Sequence, residues 1–439
     1  MAAVSTTRGP QVKDDEALDR RHWRWAVLAS MADYIDAGSI VAGSAGLALW
    51  ASAYNLSSGA VGLIAAFSSN AISAGVGCLI GGWLGDRVGR KRVYQWDLLV
   101  YAFGTLFVIF SPSLPGLLVG FVIVGLAVGA DIPTSWTLIA EFSPARARGK
   151  MLGLTNVFWS LGPVLTLALA WALAPLGLLG IRIVFAHLLV VALVTWFFRR
   201  GMVESERWRN AGRVAGDAVA GGARQATMRL RDFTTRANLR AFAFVFAMFL
   251  PWNLVAGTAG FFFPYILRTV GGAGQGTSVA LQAMGFLIVS ITTSVVFMPL
   301  SDTRHRRLLF GIGAALQAIA YGVLFTFPLG VTVAVVYLVV NNLGSGFGQG
   351  PFFRVWSTEL FPTQIRASSQ ALLYGVVRIL IGGWSFLVPV LAATGFHTLA
   401  LILLLLLLLL VASGVIGLVF MPRTAGKTLE EIQAERVAA

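Results

Sequence analysis

Twelve long apolar stretches, separated by short polar turns, leave this chain of 439 residues few ways to fold. They run over roughly 25–50, 59–83, 94–111, 115–141, 151–175, 178–198, 239–268, 276–299, 308–327, 330–357, 371–394 and 398–421, each near the ~20 residues that cross a bilayer as a helix. In hydrocarbon every backbone N–H and C=O must be satisfied inside the segment, which a helix does alone. Composition agrees: 57% of residues are hydrophobic and 12% charged, and the mean hydropathy is +0.79. Soluble domains do not reach such values. The reading is an all-α polytopic membrane protein with twelve transmembrane helices. The first stretch carries acids and lacks a small-residue cleavage site, so it reads as an internal span and not as a cleaved signal.

The formal net charge is +14, but its placement excludes a nucleic-acid partner. Of 33 Lys and Arg residues, 29 fall on one side of the alternating spans if both termini lie inside. That is the positive-inside bias of a multi-pass protein, with both termini cytoplasmic in the cell (inner or plasma) membrane. The single cysteine, Cys78, lies in a span and reads as a packing residue. The four histidines are scattered at 22, 187, 305 and 397, so no metal or cofactor site is expected.

One charged turn stands out, Gly85-Asp86-Arg87-Val88-Gly89-Arg90-Lys91-Arg92, between the second and third spans. Asp302 lies 216 residues after Asp86, within the echo Ser301-Asp302-Thr303-Arg304-His305-Arg306-Arg307. A second pattern, E-x-x-P-x-x-x-R, ends span four at Glu141, Pro144 and Arg148, and returns 218 residues later at Glu359, Pro362 and Arg366. Two motifs at nearly one offset indicate two six-helix halves related by an axis along the membrane normal, with a substrate site between them. The domain reading is an N-terminal arm at 1–24, halves at 25–198 and 239–421, a cytoplasmic linker at 199–238 and a cytoplasmic tail at 422–439. The glycines suit close helix approach. The charges suit pairs that form across the seam in one state and break in the other. Asp86 and Arg90 are expected to carry more of that closure than Asp302 and Arg306, whose copy has lost its glycines.

The turn from Gly82 to Lys91 matches G-x-x-x-D-R-x-G-R-K/R and resembles the signature of the major facilitator superfamily, in its sugar porter branch. The likeness extends over most of the chain. It includes Asp36-Ala-Gly38, Gly125 to Gly129 followed by Glu141, Glu204-Ser-Glu-Arg207-Trp208 after span six, Gly350-Pro351 before Glu359, and the tail from Pro422 to Ile432. The resemblance implies a secondary transporter working by alternating access, with gating residues at Gly85, Asp86, Gly89, Arg90, Glu141, Arg148, Glu204, Arg207, Asp302, Glu359 and Arg366. It also implies proton coupling through the first-span aspartate, here Asp36. The family's arginine partner for that acid is replaced by Phe121, which leaves Arg354, Arg378 or Arg182 to substitute.

Ionisable residues inside spans are costly and mark function by default. Asp33, Asp36 and Asp131 are the candidate proton carriers; Arg354, Arg378, Asn156, Trp252 and Asn253 are the candidate substrate contacts. Where sugar porters carry tryptophans in spans ten and eleven, this chain has Arg354 and Arg378. Two arginines suit a carboxylate, held bidentately. The expected cargo is therefore a small organic acid or similar anion moved with protons, with a neutral sugar or polyol close behind. Nothing resembles an enzyme motif, and Gly426-Lys427-Thr428 lacks the first glycine of a phosphate loop. A proton-driven exporter of drugs or secondary metabolites and a non-transporting nutrient receptor remain as alternatives. The chain reads as a monomer in the bilayer whose partners are the substrate and protons.

Overall fold

The computed structural model describes residues 18, 20–67, 71–200, 234–269, 271–363, 365–392 and 396–438. The first half comprises α1 (Arg20–Ala53), α2 (Ser58–Phe67), α3 (Ile72–Val88), α4 (Arg90–Phe110), α5 (Leu114–Phe142), α6 (Arg148–Ala172) and α7 (Leu178–Arg199). The second comprises α8 (Arg236–Thr269), α9 (Gln275–Thr292), α10 (Arg306–Thr326), α11 (Val331–Ser345), α12 (Gln349–Glu359), α13 (Arg366–Ala392) and α14 (Phe396–Val419). A tail helix, α15 (Leu429–Ala438), follows. With α2 and α3 forming one span and α11 and α12 another, these are twelve spans in two groups of six.

Among the described residues, eleven helices are long and apolar enough to cross a membrane by length and composition. The first span, α1, has 34 residues, about 51 Å of helix, and carries Asp33 and Asp36 within it. The cost of those acids is met by partners from the other half, as shown below.

Two spans depart from simple rods. Span eight continues from α9 through a π-helical segment, Thr293–Phe297, into a last turn, Met298–Leu300. Span ten breaks between α11 and α12 at Gly346-Phe347-Gly348, where no continuous helix is formed. Such interruptions are tolerated at membrane depth only where other groups satisfy the freed backbone. Thr293 Oγ1 does this by donating to Gly346 O at 2.8 Å.

The halves meet where α3 lies against α13 and α6 against α9. A Cβ added to Gly75 would lie 2.7 Å from Gly375 O, and one on Gly82 would lie 2.7 Å from Ala367 O. Only hydrogen at these positions lets α3 and α13 touch backbone to backbone. Gly89, with φ +102°, makes the turn between α3 and α4 that a side chain would strain. The side chains of Asp86 and Arg90, the whole of residues 201–233 with Glu204 and Arg207, and most of the N-terminal arm lie outside the described residues.

Cys78 is fully buried at this seam, with its Cβ 3.2 Å from where a Cβ on Gly375 would stand. It is the only cysteine, so its thiol reports on the α3–α13 contact. Overpacking a tight contact costs about 1–3 kcal/mol. Gly82→Leu should therefore hold the seam apart, and a maleimide should label Cys78 about tenfold faster than in the parent protein.

Candidate substrate cavity and charged seam

Loop charges on one face of the bundle tie the halves together. The two E-x-x-P-x-x-x-R copies exchange partners: Arg366 Nη1 lies 3.2 Å from Glu141 Oε1, and Arg148 Nη1 lies 3.5 Å from Glu359 Oε1. Arg306 Nη1 adds a second contact to Glu359 Oε2 at 3.2 Å. Asp302 sits at the N-terminus of α6 in the opposite half, where Gly149 N and Lys150 N each donate to it at 2.9 Å. That is the favoured place for negative charge on a helix. Burial pushes the Asp302 carboxyl above its ordinary pKa, opposed by Arg306 and by those two amides. Arg148 also donates to Lys427 O and Arg306 to Thr424 Oγ1, so the tail is fastened to the same cluster. These contacts join the two halves on the charged face.

Above the seam, between the halves, lies a cavity lined from both sides. Its walls come from α1, α5 and α6 on one side and from α8, α9, α11, α12 and α13 on the other. Of the residues expected to touch substrate, Asn156, Trp252, Asn253, Arg354 and Arg378 all line it. Aromatic rings form much of the surface. Phe249 stacks on Phe353 with centroids 3.4 Å apart, and Trp136 meets Tyr374 edge to face at 5.3 Å. Phe352 and Trp356 pack behind this wall against Phe310.

The arginines are not free. Arg378 Nη2 lies 3.0 Å from Asp36 Oδ2, and Arg354 Nη2 lies 3.4 Å from Asp33 Oδ1. Both acids are fully buried, and both pairs cross from α1 to the second half. Arg378 is therefore the arginine that meets Asp36 in place of the missing one at Phe121, whereas Arg182 lies elsewhere, donating to Ser111 O. Trp136 serves Asp33 and Arg354 together. Its Nε1 donates to the Asp33 carboxylate at 3.0 and 3.2 Å, and its ring lies 4.9 Å beneath the guanidinium. Arg354 Nη1 also donates to Asn156 Oδ1 at 2.8 Å, and Asn156 Nδ2 donates to Thr293 Oγ1 at 2.7 Å. Arg378 donates a short hydrogen bond to the Tyr374 hydroxyl.

This pairing corrects the expectation of an anionic cargo. Two unpaired arginines would hold a carboxylate, but each here already has one. With both acids ionised, the formal charge of the four groups is zero.

Asp131 does not line the cavity. It accepts from Arg199 Nη1 at 2.8 Å and from Ser135 Oγ at 2.6 Å, with Asp97 3.8 Å from the same guanidinium and the Tyr94 ring 3.6 Å from it. All five residues lie on α4, α5 and α7 of the first half. Tyr374 and Trp136 were not among the residues expected from sequence. The i, i+4 spacing of Tyr374 and Arg378 was a usable signal. Nothing in the sequence marked Trp136.

Comparison with known proteins agrees with this architecture. Residues 26–381 match the profile of the Major Facilitator Superfamily. The chain belongs to that superfamily. It is a multi-pass membrane transporter, and the expected fold class stands. It is 43% identical over 423 residues to the minor myo-inositol transporter IolF of Bacillus subtilis, covering 96% of this chain and 94% of that one. Among solved structures it is similar to the proton:xylose symporter XylE bound to 6-bromo-6-deoxy-D-glucose, with a TM-score of 0.78 at 21% identity over 94% of this chain and 98% of that one. Against the inward open conformation of XylE from E. coli the TM-score falls to 0.68, at 19% identity over 94% and 99% of the two chains.

The Asp97–Arg199–Asp131 cluster yields a distinct expectation. Removing one partner of a buried ionic group costs about 3–5 kcal/mol. Arg199→Ala should lower the apparent melting temperature in detergent. The apparent KM of the protein that remains folded should not change.

Proposed function

We propose that this chain is a proton-coupled importer of a neutral polyol of the inositol type. The carrying observation is the charge balance of the cavity. Asp33 and Asp36 neutralise Arg354 and Arg378, which leaves an aromatic wall with amide and hydroxyl groups from Asn156, Asn253 and Ser345. Such a lining suits an uncharged ring bearing many hydroxyls, which needs hydrogen bonds for orientation and apolar faces for burial. The likeness to a myo-inositol transporter supports the same class of cargo.

The proposed cycle uses the two halves, 25–198 and 239–421, as rocking bodies tethered by 199–238, with both termini cytoplasmic. In that cycle, the state with the charged seam joined is the one in which the cavity serves the outside. Asp36 and Arg378 bind the halves together through hydrocarbon-depth charge. Separating them as ions would leave each uncompensated, at a cost of about 3–5 kcal/mol. A proton on Asp36 removes that cost for the acid, so the proton and the cargo enter together. Glu141, Arg148, Asp302, Glu359 and Arg366 then act as the inside gate, with Gly85, Asp86, Gly89, Arg90, Glu204 and Arg207 assigned to it by motif.

Two outcomes test this reading. In proteoliposomes with acid outside, labelled myo-inositol should accumulate, a protonophore should abolish the accumulation, and excess succinate should not compete. Competition by succinate without inositol uptake would restore the anion. In Asp36→Asn, gradient-driven accumulation should fall about tenfold or more while inositol exchange across equal pH persists, because the amide oxygen still accepts from Arg378 but no longer takes up a proton.

A further inference from the structure

Behind the cavity wall, three side chains form a chain of hydrogen bonds that transport as described does not use. Trp252 of α8 lines the cavity, and its Nε1 donates to Gln317 Oε1 of α10 at 2.8 Å. Gln317 Nε2 donates onward to Gln349 Oε1 at 2.8 Å and to Gly313 O at 3.1 Å. An indole N–H is a donor only, so the Gln317 carbonyl must face it and its amide nitrogen must face the other two. Gln317 is 3% exposed and Gln349 is fully buried, in spans where leucine would be the inexpensive choice. Buried polar chains of this kind fix one arrangement of the groups they join.

The other end of the indole is fixed as well. A Cβ on Gly350 would lie 2.7 Å from Trp252 Cη2 and 3.1 Å from Cζ2, so the benzo edge rests on bare backbone. Phe249 covers part of the ring at 5.6 Å and 33°. The ring is held at its nitrogen, at its far edge and by Phe249, and it still borders the cavity.

We propose that Trp252 is the stacking platform for the cargo ring and that Gln317 and Gly350 are positioning residues that set its plane. This rests on the polyol reading. A cyclic polyol with mostly equatorial hydroxyls presents C–H bonds on its two faces, and an aromatic plane buries such a face while leaving the hydroxyls to the amides. The platform then fixes which ring geometry the hydroxyl contacts of Asn156 and Asn253 meet.

The test is a double-mutant cycle on inositol uptake in proteoliposomes. Gln317→Leu should raise the KM for myo-inositol about fivefold, the scale of one lost neutral hydrogen bond, with the maximal rate unchanged. Trp252→Phe keeps a ring but loses the N–H. In that background Gln317→Leu should add nothing, because its only route to the cargo is gone. Gly350→Ala leaves every hydrogen-bonding group in place and should reproduce the KM rise, which keeps the test open if Gln317→Leu does not fold. Additive effects of Gln317→Leu and Trp252→Phe, or a loss of folded protein with KM unchanged in both Gln317→Leu and Gly350→Ala, would overturn the positioning role. A parent protein that carries no inositol would overturn the polyol reading, and this inference with it.

Discussion

A charge carried into hydrocarbon must be matched, and in this protein the matching groups mostly come from the opposite half. Glu141 takes its arginine from the second copy of its own motif, and Glu359 takes one from the first. Asp33 and Asp36 on α1 take theirs from α12 and α13. Each of these contacts joins one half to the other, so the ion pairs that let α1 enter the membrane also fasten the two halves together. The Asp97–Arg199–Asp131 cluster is different, since all its members lie in one half. It stabilises a rigid body and has no reason to change as the halves move.

The glycine pattern makes those pairs reachable. Where α3 meets α13, Gly75 and Gly82 allow backbone contact, which brings the short loops at their ends close enough for side chains to cross. Higher in the bundle, the break at Gly346-Phe347-Gly348 and the π-helical segment at Thr293–Phe297 are joined through Thr293, which also receives the Asn156 amide. A single hydrogen-bonded path therefore runs from Asp33 through Arg354, Asn156 and Thr293 to the break in span ten. Binding that disturbs Asn156 acts directly on the irregular parts of two helices.

Much of this was legible in the sequence because it is written in periods. Apolar runs of span length give the helices, and two motifs at nearly one offset give the halves. What stayed open was which acid meets which arginine: Arg354, Arg378 and Arg182 were all candidates for Asp36, and the pairs formed join residues more than 300 positions apart. Asp131 read as a proton carrier because its depth was visible and Arg199 was assigned to the linker. The π-helical segment of span eight, the break in span ten and the role of Gln317 were not expected from the sequence. Burial and pairing decide the roles of such residues, and neither has a period.

The central claim is that the Asp36–Arg378 charge pair, which joins the two halves across the cavity, couples protons to the cargo in the proposed cycle. The most direct measurement is inositol exchange at equal pH in Asp36→Asn, in Arg378→Gln and in the double variant. The account predicts that Arg378→Gln alone is strongly impaired, because Asp36 is left buried and unpaired, and that adding Asp36→Asn restores exchange without restoring accumulation on a proton gradient. Impairments that simply add in the double variant would contradict it.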